Sequence, residues 1–265
     1  MEKARKVAIM AARDAGKLAK DRFLQEMSIT EKGDTGDLVT VIDQLAEKRI
    51  IELIRADFPD HSIRGEEFGL SGADGVSDWL WLVDPLDGTN NYALGIPMYG
   101  VSITLMHKQN TVLGVIYDSH LDQLYVAEEG RGALQNGKLL TIKSPPLFHK
   151  LTVGWIQGHV VQKNAEAAAI KHRLEAEVKR VISLWAPSLL WCMLARGDIQ
   201  GIVLYNSEGE DLYAGLLLAR EAGACIVDFQ GVDFTGTSNE PYLIACHPDR
   251  KDSFVRLVTA CKSSL

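Results

Sequence analysis

The chain has 265 residues, of which 46% are hydrophobic and 24% are charged, and its formal net charge is −7. These values are ordinary for a globular protein and allow one large domain or two lobes that share a core. The acidic balance and the lack of a basic block exclude nucleic-acid binding through a cationic face.

The four cysteines are scattered without a Cys-x-x-Cys pair, and no apolar run approaches the ~20 residues of a membrane span. The first residues are charged, so a signal peptide is not expected. We therefore expect a cytoplasmic protein without disulfides and without a nucleic-acid or membrane partner. The histidines lie far apart along the chain, so a zinc site is not indicated.

Helical spacing of apolar residues predicts helices over 2–27 and 43–58, with Asp43 at the start of the second. The polar, glycine-containing segment 28–40 between them predicts a mobile loop that carries Lys32. Strand patterns follow at 61–64 and 79–83 and then at 101–106, 112–117 and 123–127. The last three are joined by short turns, which is typical of an antiparallel sheet.

Ser144-Pro-Pro146 is the candidate boundary between an N-terminal α+β lobe, 1–145, and a C-terminal α/β lobe, 146–265. Beyond it, strand and helix patterns alternate, which is typical of layered α/β structure. The strands are predicted at 151–155, 180–184, 199–205, 224–228 and 241–245, and the helices at 164–178, 187–196, 211–222 and 249–261.

The stretch 81–92 carries the strongest chemical signal, Trp-Leu-Val-Asp-Pro-Leu-Asp-Gly-Thr-Asn-Asn-Tyr. It places Asp84 and Asp87 around a proline turn after a buried strand, an arrangement that suits a hard divalent cation. Gly88 and Thr89 begin a short helix whose free N–H groups suit a phosphate. Together these features indicate metal-assisted phosphate chemistry. The structural alternative is an Asp-Pro turn with an aspartate that caps a helix.

Four further acids have both a structural and a functional interpretation. Glu66 and Glu67 follow a strand and are solvated in most proteins, but adjacent strand ends would bring them to Asp84 and Asp87. Asp43 and Asp211 each open a predicted helix, where an acid complements the helix dipole or caps the first turn. The residues alone leave these alternatives open.

Four motifs in the same order and spacing resemble the inositol monophosphatase family of metal-dependent, lithium-sensitive phosphatases, across nearly the whole chain. The motifs are Asp37-Leu-Val-Thr40 with Asp43, Gly65-Glu66-Glu67, Asp84-Pro-Leu-Asp-Gly-Thr-Asn-Asn-Tyr92, and Asp211-Leu-Tyr-Ala-Gly215 with Glu221-Ala-Gly-Ala224. The resemblance implies an α/β (α+β) fold, a layered α-β-α-β-α sandwich of the inositol monophosphatase and fructose-1,6-bisphosphatase type. It also implies a homodimer that hydrolyses a small phosphorylated metabolite.

The resemblance further implies two or three Mg²⁺ ions, which would neutralise the phosphate, activate water and stabilise the leaving alkoxide. Their ligands would be Glu66, Asp84 and the Leu86 carbonyl for the first ion, Asp84, Asp87 and Asp211 for the second, and Glu66 for a weaker third. Gly88 and Thr89 would bind the phosphate beside Asp87, the Thr89 hydroxyl paired with Asp43 would orient the attacking water, and the loop with Lys32 would close over the site. A covalent aspartyl-phosphate route is less favoured, because Asp84 and Asp87 are both needed as ligands.

The chain departs from the family at the substrate pocket. Glu210 replaces a tryptophan, Trp185-Ala186-Pro-Ser188 replaces Gly-Ser/Thr-Ala-Ala, and Leu204 stands where an acid grips a substrate hydroxyl. We therefore expect weakened polyol recognition, unless Glu208 or Glu210 compensates.

The short link between Glu67 and Asp84 favours inositol 1-phosphate among the substrates of the superfamily. The alternatives are the same chemistry on fructose 1,6-bisphosphate, histidinol phosphate or a 3′-phosphonucleotide, and a phosphate-ester-binding protein with weak turnover.

Overall fold

Five alternating layers of helix and sheet make up the part of the protein that the structure describes. The structure is a computed structural model, and it describes residues 1–25, 29–32, 37–72, 77–143, 147–158, 161 and 163–260. For 29–32, Asp37 and Phe148 it describes the backbone alone. None of the described helices is long and apolar enough to cross a membrane.

The helices are α1 (Glu2–Arg22), α2 (Val41–Asp57), α3 (Thr89–Ala93), α4 (Ala165–Glu177), α5 (Pro187–Arg196), α6 (Leu212–Glu221) and α7 (Lys251–Thr259). The strands of the first half are β1 (Ile29–Lys32), β2 (Asp37–Thr40), β3 (Ser62–Gly65), β4 (Gly69–Ser71), β5 (Trp79–Asp87), β6 (Gly100–His107), β7 (Asn110–Asp118), β8 (Gln123–Glu128), β9 (Ala133–Gln135) and β10 (Lys138–Leu140). Those of the second half are β11 (Thr152–Gln157), β12 (Arg180–Ile182), β13 (Gly201–Tyr205), β14 (Cys225–Asp228) and β15 (Tyr242–Cys246).

The first large sheet has eight strands in the order β10-β9-β8-β7-β6-β5-β3-β4. Its neighbours are antiparallel except for β3 and β5, which run parallel. Helices α1 and α2 cover its outer face. The buried side of α1 is made of small residues such as Ala8, Ala11 and Ala15, which let the helix backbone approach its neighbours closely.

The second large sheet has five strands in the order β12-β11-β13-β15-β14. Helices α5 and α6 lie between the two sheets, so that one apolar cluster joins Leu82 of β5, Leu190 of α5, Ile202 of β13 and Leu216 of α6. Helices α4 and α7 cover the far face of this sheet. The two halves of the chain therefore share the α5–α6 layer.

The predicted layered fold is confirmed, and most predicted elements lie within a few residues of the observed ones. The Asn136-Gly137 turn joins β9 to β10, and both residues have the positive φ of a type I′ turn. The predicted boundary at 144–146 lies outside the described residues, so the division into lobes 1–145 and 146–265 remains a prediction.

The segment 28–40 is not a structureless loop in its described parts. Strands β1 and β2 pair antiparallel, with Ile29 opposite Thr40 and Lys32 opposite Asp37. Strand β1 has a single apolar residue and β2 follows a polar, glycine-containing stretch, so no local pattern indicates these strands, and the pairing between them supplies their order. The side chain of Lys32 and the residues 33–36 lie outside the described part, so the predicted closing role of this segment is untested.

The contact between α5 and α6 generates a stability prediction. A Cβ added at Gly215 would lie 2.2 Å from Cδ1 of the buried Trp191, so Gly215→Ala overpacks the shared layer. We expect a loss of about 1–3 kcal/mol in the free energy of unfolding, although alanine favours a helix. Urea unfolding measures it, with Gln44→Ala on the exposed side of α2 as the control. A variant as stable as the wild type would contradict the packing argument.

Candidate active site

Asp84 and Asp87 share one side of the first sheet because β5 contains a bulge between them. Asp84 is opposite Ser102 of β6, whereas Asp87 is opposite Gly100, so β5 has one extra residue. In a regular strand, residues three apart point to opposite faces, and the extra residue cancels that alternation. Both buried carboxylates line one cavity, and Asp84 Oδ1 accepts a hydrogen bond from the Leu86 N–H at 3.0 Å.

The chain turns sharply after Asp87. Gly88 has φ of +97°, and a Cβ there would lie 2.8 Å from the Met98 carbonyl oxygen and 3.1 Å from Cβ of Ala186. Only glycine combines this conformation with this closeness. Helix α3 then begins at Thr89, and both Gly88 and Thr89 line the cavity. Ala186, which we predicted to line it, is instead buried behind Gly88.

Thr89 and Asp43 form a hydrogen-bonded pair across 46 positions of sequence. The Thr89 hydroxyl lies 2.9 Å from both Asp43 Oδ1 and the Leu86 carbonyl oxygen. The second oxygen of Asp43 accepts from the N–H of Thr40 at 2.7 Å and from its hydroxyl at 2.6 Å. Asp43 therefore caps α2 and also contacts Thr89, so its structural role as a cap is compatible with the predicted pairing with Thr89.

Asp87 is held by the beginning of α5. Its Oδ2 accepts the Ser188 N–H at 2.8 Å and also the Ser188 hydroxyl. Ser188 is fully buried, so it anchors the carboxylate and does not line the cavity. Trp185 and Pro187 do line the cavity, and the Trp185 side chain is 57% exposed at its mouth.

Glu66 reaches the cavity from the strand next to β5. Strand β3 runs parallel to β5, with Gly65 level with Val83, and the Glu66 N–H donates to the Val83 carbonyl at 3.1 Å. Parallel strands end at the same edge, which places Glu66 beside Asp84 as predicted. The fully buried Glu47 of α2 accepts hydrogen bonds from the next two backbone N–H groups, those of Glu67 and Phe68.

Asp211 supplies the fourth acid of the cavity from the second half of the chain. It lies at the start of α6 but makes no side-chain cap. Burial, and then the nearby Glu66, raise the pKa of Asp211 to about 7. Burial and neighbouring carboxylates also raise the pKa values of Asp84 and Asp87 well above the usual range.

Arg64, at the end of β3, forms ion pairs with Glu208 and Glu210, the two acids that shortly precede Asp211. Its Nε lies 2.9 Å from Glu210 Oε1, and its Nη2 lies 3.6 Å from Glu208 Oε1. Burial raises the pKa of Glu210, and the charge of Arg64 opposes that rise. Glu210 is therefore engaged by Arg64, whereas Glu208 keeps a looser contact and a more exposed side chain.

The cavity has a volume of about 760 Å³ and two chemically different sides. Its acidic side is made of Glu66, Asp84, Asp87, Glu208, Glu210 and Asp211, and its apolar side of Ile96, Met98, Trp155, Leu184, Trp185 and Pro187. Leu204, which we predicted to line the pocket, does not: it is 1% exposed on β13 and packs in the core shared with α5 and α6. The side chains of that core cover it, although its register partner Ile156 on β11 lines the cavity.

The donor chemistry of this cavity fits a hard divalent cation. All the candidate donors are oxygen atoms, and burial followed by neighbouring carboxylates raises the pKa values of Asp84 and Asp87, which a bound cation would offset. Among the described residues, however, no three Asp, Glu, His or Cys side chains already stand as a metal-binding group. The assignment of Mg²⁺ ligands therefore stays a prediction.

A family model described as the inositol monophosphatase family matches residues 1–263. The chain belongs to this family. A fructose-1,6-bisphosphatase/inositol-1-monophosphatase from Aquifex aeolicus is 33% identical over 229 residues, with 84% of each chain covered. A protein named Nus factor SuhB from Pasteurella multocida is 35% identical over 263 residues, covering 97% of this chain and 96% of its own.

Solved structures agree with this family assignment. An IMPase from Thermotoga maritima superimposes with a TM-score of 0.87 at 26% identity, covering 100% of this chain and 99% of its own. Membership of the inositol monophosphatase family makes this protein a phosphomonoester hydrolase.

Sequence reasoning missed two residues of this inositol monophosphatase family site and gave a third another role. Glu47 follows Asp43 by four positions on one helix, a spacing that puts both acids on the same face. Arg64 directly precedes Gly65-Glu66-Glu67, and its partner Glu210 directly precedes Asp211. The sequence predicts Ser188 as part of the wall of the substrate pocket, and no local pattern indicates its contact with Asp87.

The raised pKa of Asp211 predicts how the metal-free protein responds to pH. The unfolded chain releases this proton near pH 4, whereas the folded chain retains it up to about pH 7. Between these values the folded state binds more protons, so the free energy of unfolding falls as the pH rises. Asp211→Asn removes this contribution, so the variant should gain stability relative to the wild type as the pH rises from 5 to about 8. Urea unfolding with a chelator present measures the difference, and a constant difference would contradict the prediction.

Proposed function

We propose that this protein is a Mg²⁺-dependent phosphomonoesterase that hydrolyses a small phosphorylated metabolite by activated water, in the manner of an inositol-1-monophosphatase. The hydrogen bond from the Thr89 hydroxyl to Asp43, beside the paired carboxylates Asp84 and Asp87, carries the proposal. This arrangement joins a water-orienting hydroxyl to a cation-binding side of the same cavity.

Two or three divalent ions, when bound by Glu66, Asp84, the Leu86 carbonyl, Asp87 and Asp211, would neutralise the phosphate, activate water and stabilise the leaving oxygen. The chain's own groups have distinct tasks. The backbone N–H groups of Gly88 and Thr89 bind phosphate oxygens at the start of α3. The Thr89 hydroxyl donates a hydrogen bond to Asp43. The lone pairs of the Thr89 oxygen therefore remain to accept a hydrogen bond from the attacking water.

The anchoring contacts support this division of tasks. Asp43 is fixed by Thr40, and Asp87 is fixed by Ser188, so neither carboxylate needs to reorganise during the reaction. A covalent route through Asp84 or Asp87 is disfavoured, because each carboxylate already accepts a backbone N–H and is needed as a ligand.

The two sides of the cavity narrow the choice among the candidate substrates. The phosphate and cation contacts are common to all candidates and do not discriminate, whereas contacts to the leaving group do. Glu208 is the acid available for a substrate hydroxyl, because Leu204 is in the core and Glu210 is engaged by Arg64. We therefore favour inositol 1-phosphate, with fructose 1,6-bisphosphate as the alternative that the name of the Aquifex aeolicus relative supports. Histidinol phosphate, a 3′-phosphonucleotide and weak turnover have no specific support.

The remaining attributes are part of the same proposal. The relatives named Nus factor SuhB raise a nucleic-acid connection, but a net charge of −7 disfavours a cationic binding face. A cytoplasmic setting rests on the scattered cysteines of the sequence, of which Cys225 and Cys246 lie on paired strands with their sulfur atoms 3.8 Å apart. A homodimer and lithium sensitivity rest on family membership alone.

Replacing Asp87 by asparagine tests the proposed chemistry. The change keeps the shape of the side chain and removes one ligand charge, so we expect kcat with Mg²⁺ to fall by at least about 100-fold. Release of phosphate from an aryl phosphate measures it, and circular dichroism checks the fold. Asp228→Asn is the matched control, since Asp228 likewise accepts two hydrogen bonds, both from backbone N–H groups, but lies on β14 away from the cavity. Near-normal turnover of Asp87→Asn at saturating Mg²⁺ would refute the ligand role.

Replacing Glu208 by glutamine tests the assignment of the leaving-group contact. If Glu208 binds a substrate hydroxyl, kcat/KM for inositol 1-phosphate should fall about 10-fold or more relative to an aryl phosphate without hydroxyls. The exposed Glu240→Gln should leave this ratio unchanged. An unchanged ratio in Glu208→Gln would show that another group discriminates between the substrates.

A further inference from the structure

Glu47 is a fully buried carboxylate that the proposed chemistry does not use. It lies on α2, one helical turn after Asp43, and its side chain is 0% exposed. Burying a carboxylate costs free energy unless polar groups compensate it. Its partners are therefore the key to why this acid occupies an interior position.

Both oxygens of Glu47 hold the turn that carries Glu66. Oε2 accepts the Glu67 N–H at 2.7 Å, and Oε1 accepts the Phe68 N–H at 3.0 Å. The carboxylate also lies directly against Gly65, where an added Cβ would be 1.9 Å from Oε1. The residues before and after Glu66 thus contact the same carboxylate.

Another backbone contact of this turn joins it to β5, the neighbouring strand that carries Asp84 and Asp87. The Glu66 N–H donates to the Val83 carbonyl, which immediately precedes Asp84. Glu66 is consequently held on one side by β5 and on the other by α2. Because α2 also presents Asp43 to Thr89, a single helix positions both the water-orienting pair and the Glu66 turn.

We propose that Glu47 is a positioning residue that fixes Glu66 against Asp84 for binding a divalent cation. The inference rests on the proposed function, since it concerns the same cation site. A ligand that projects from a turn is useful only if the turn does not move, and groups that orient metal ligands commonly change metal affinity by about 10- to 100-fold.

Glu221 provides a matched control for a purely structural role. Its carboxylate accepts the N–H groups of Gly130 and Gly132 at 2.8 and 2.7 Å, the same bidentate contact to a turn. That turn follows β8 and does not line the cavity. Glutamine at either position keeps one acceptor and places an N–H₂ group against a backbone donor, so the two variants perturb their turns alike.

The test is the dissociation constant of Mn²⁺, measured without substrate by electron paramagnetic resonance of the free ion, together with thermal unfolding under chelation. We expect Glu47→Gln to raise this constant about 10- to 100-fold. Glu221→Gln should lower the unfolding temperature comparably and leave the constant unchanged. Wild-type Mn²⁺ affinity in Glu47→Gln, or an equal loss in Glu221→Gln, would overturn the proposal.

Gly65→Ala separates positioning from charge, because it displaces the Glu47 carboxylate and keeps every charge of the site. It should weaken Mn²⁺ binding as Glu47→Gln does, and unchanged affinity in this variant would contradict the proposal even if Glu47→Gln does not fold. If the wild type itself binds no Mn²⁺, the proposed function fails. If it binds and the variants match it, only the role of Glu47 fails.

Discussion

In β5, one extra residue between Asp84 and Asp87 turns two carboxylates toward the same side of a sheet, against the alternation of a regular strand. The resulting concentration of negative charge has to be offset by the groups around these two carboxylates. The two acids are buried, and burial together with neighbouring carboxylates raises the pKa of both. A protein tolerates such an arrangement where a cation or a set of hydrogen-bond donors offsets the charge. Hydrogen-bond donors contact both carboxylates, and a divalent cation is part of the proposed function.

The donors come from backbone groups that would otherwise lack partners. Leu86 donates to Asp84, Ser188 at the start of α5 donates to Asp87, and the turn after Gly65 donates to Glu47. Helix starts and turns have free N–H groups that need acceptors, so the acids and the backbone satisfy each other. The layered fold is what brings them together, because α5 belongs to the second half of the chain and β5 to the first.

The side of the cavity that we propose for the leaving group differs from the family pattern. Arg64 and Glu210 form an ion pair between the end of β3 and the residue before Asp211, where the family pattern places a tryptophan. This pair links the two loops that supply Glu66 and Asp211, and it removes Glu210 from competition for a substrate. Trp185 is exposed at the mouth, so this part of the cavity has acidic residues on one side and an aromatic ring on the other.

The sequence by itself determined most of the elements and the acids of the cavity, because apolar periodicity and short motifs are local properties. The layered α/β/α/β/α architecture followed from the family resemblance that those motifs carry. It misplaced Leu204 and Ala186, because packing against neighbouring elements decides whether a side chain reaches the cavity. It also missed Glu47 and Arg64 and the anchoring contact of Ser188. Each of these residues contacts a partner 20 or more positions away. Only the tertiary structure brings such partners together, because side-chain direction and long-range pairing depend on packing among several elements.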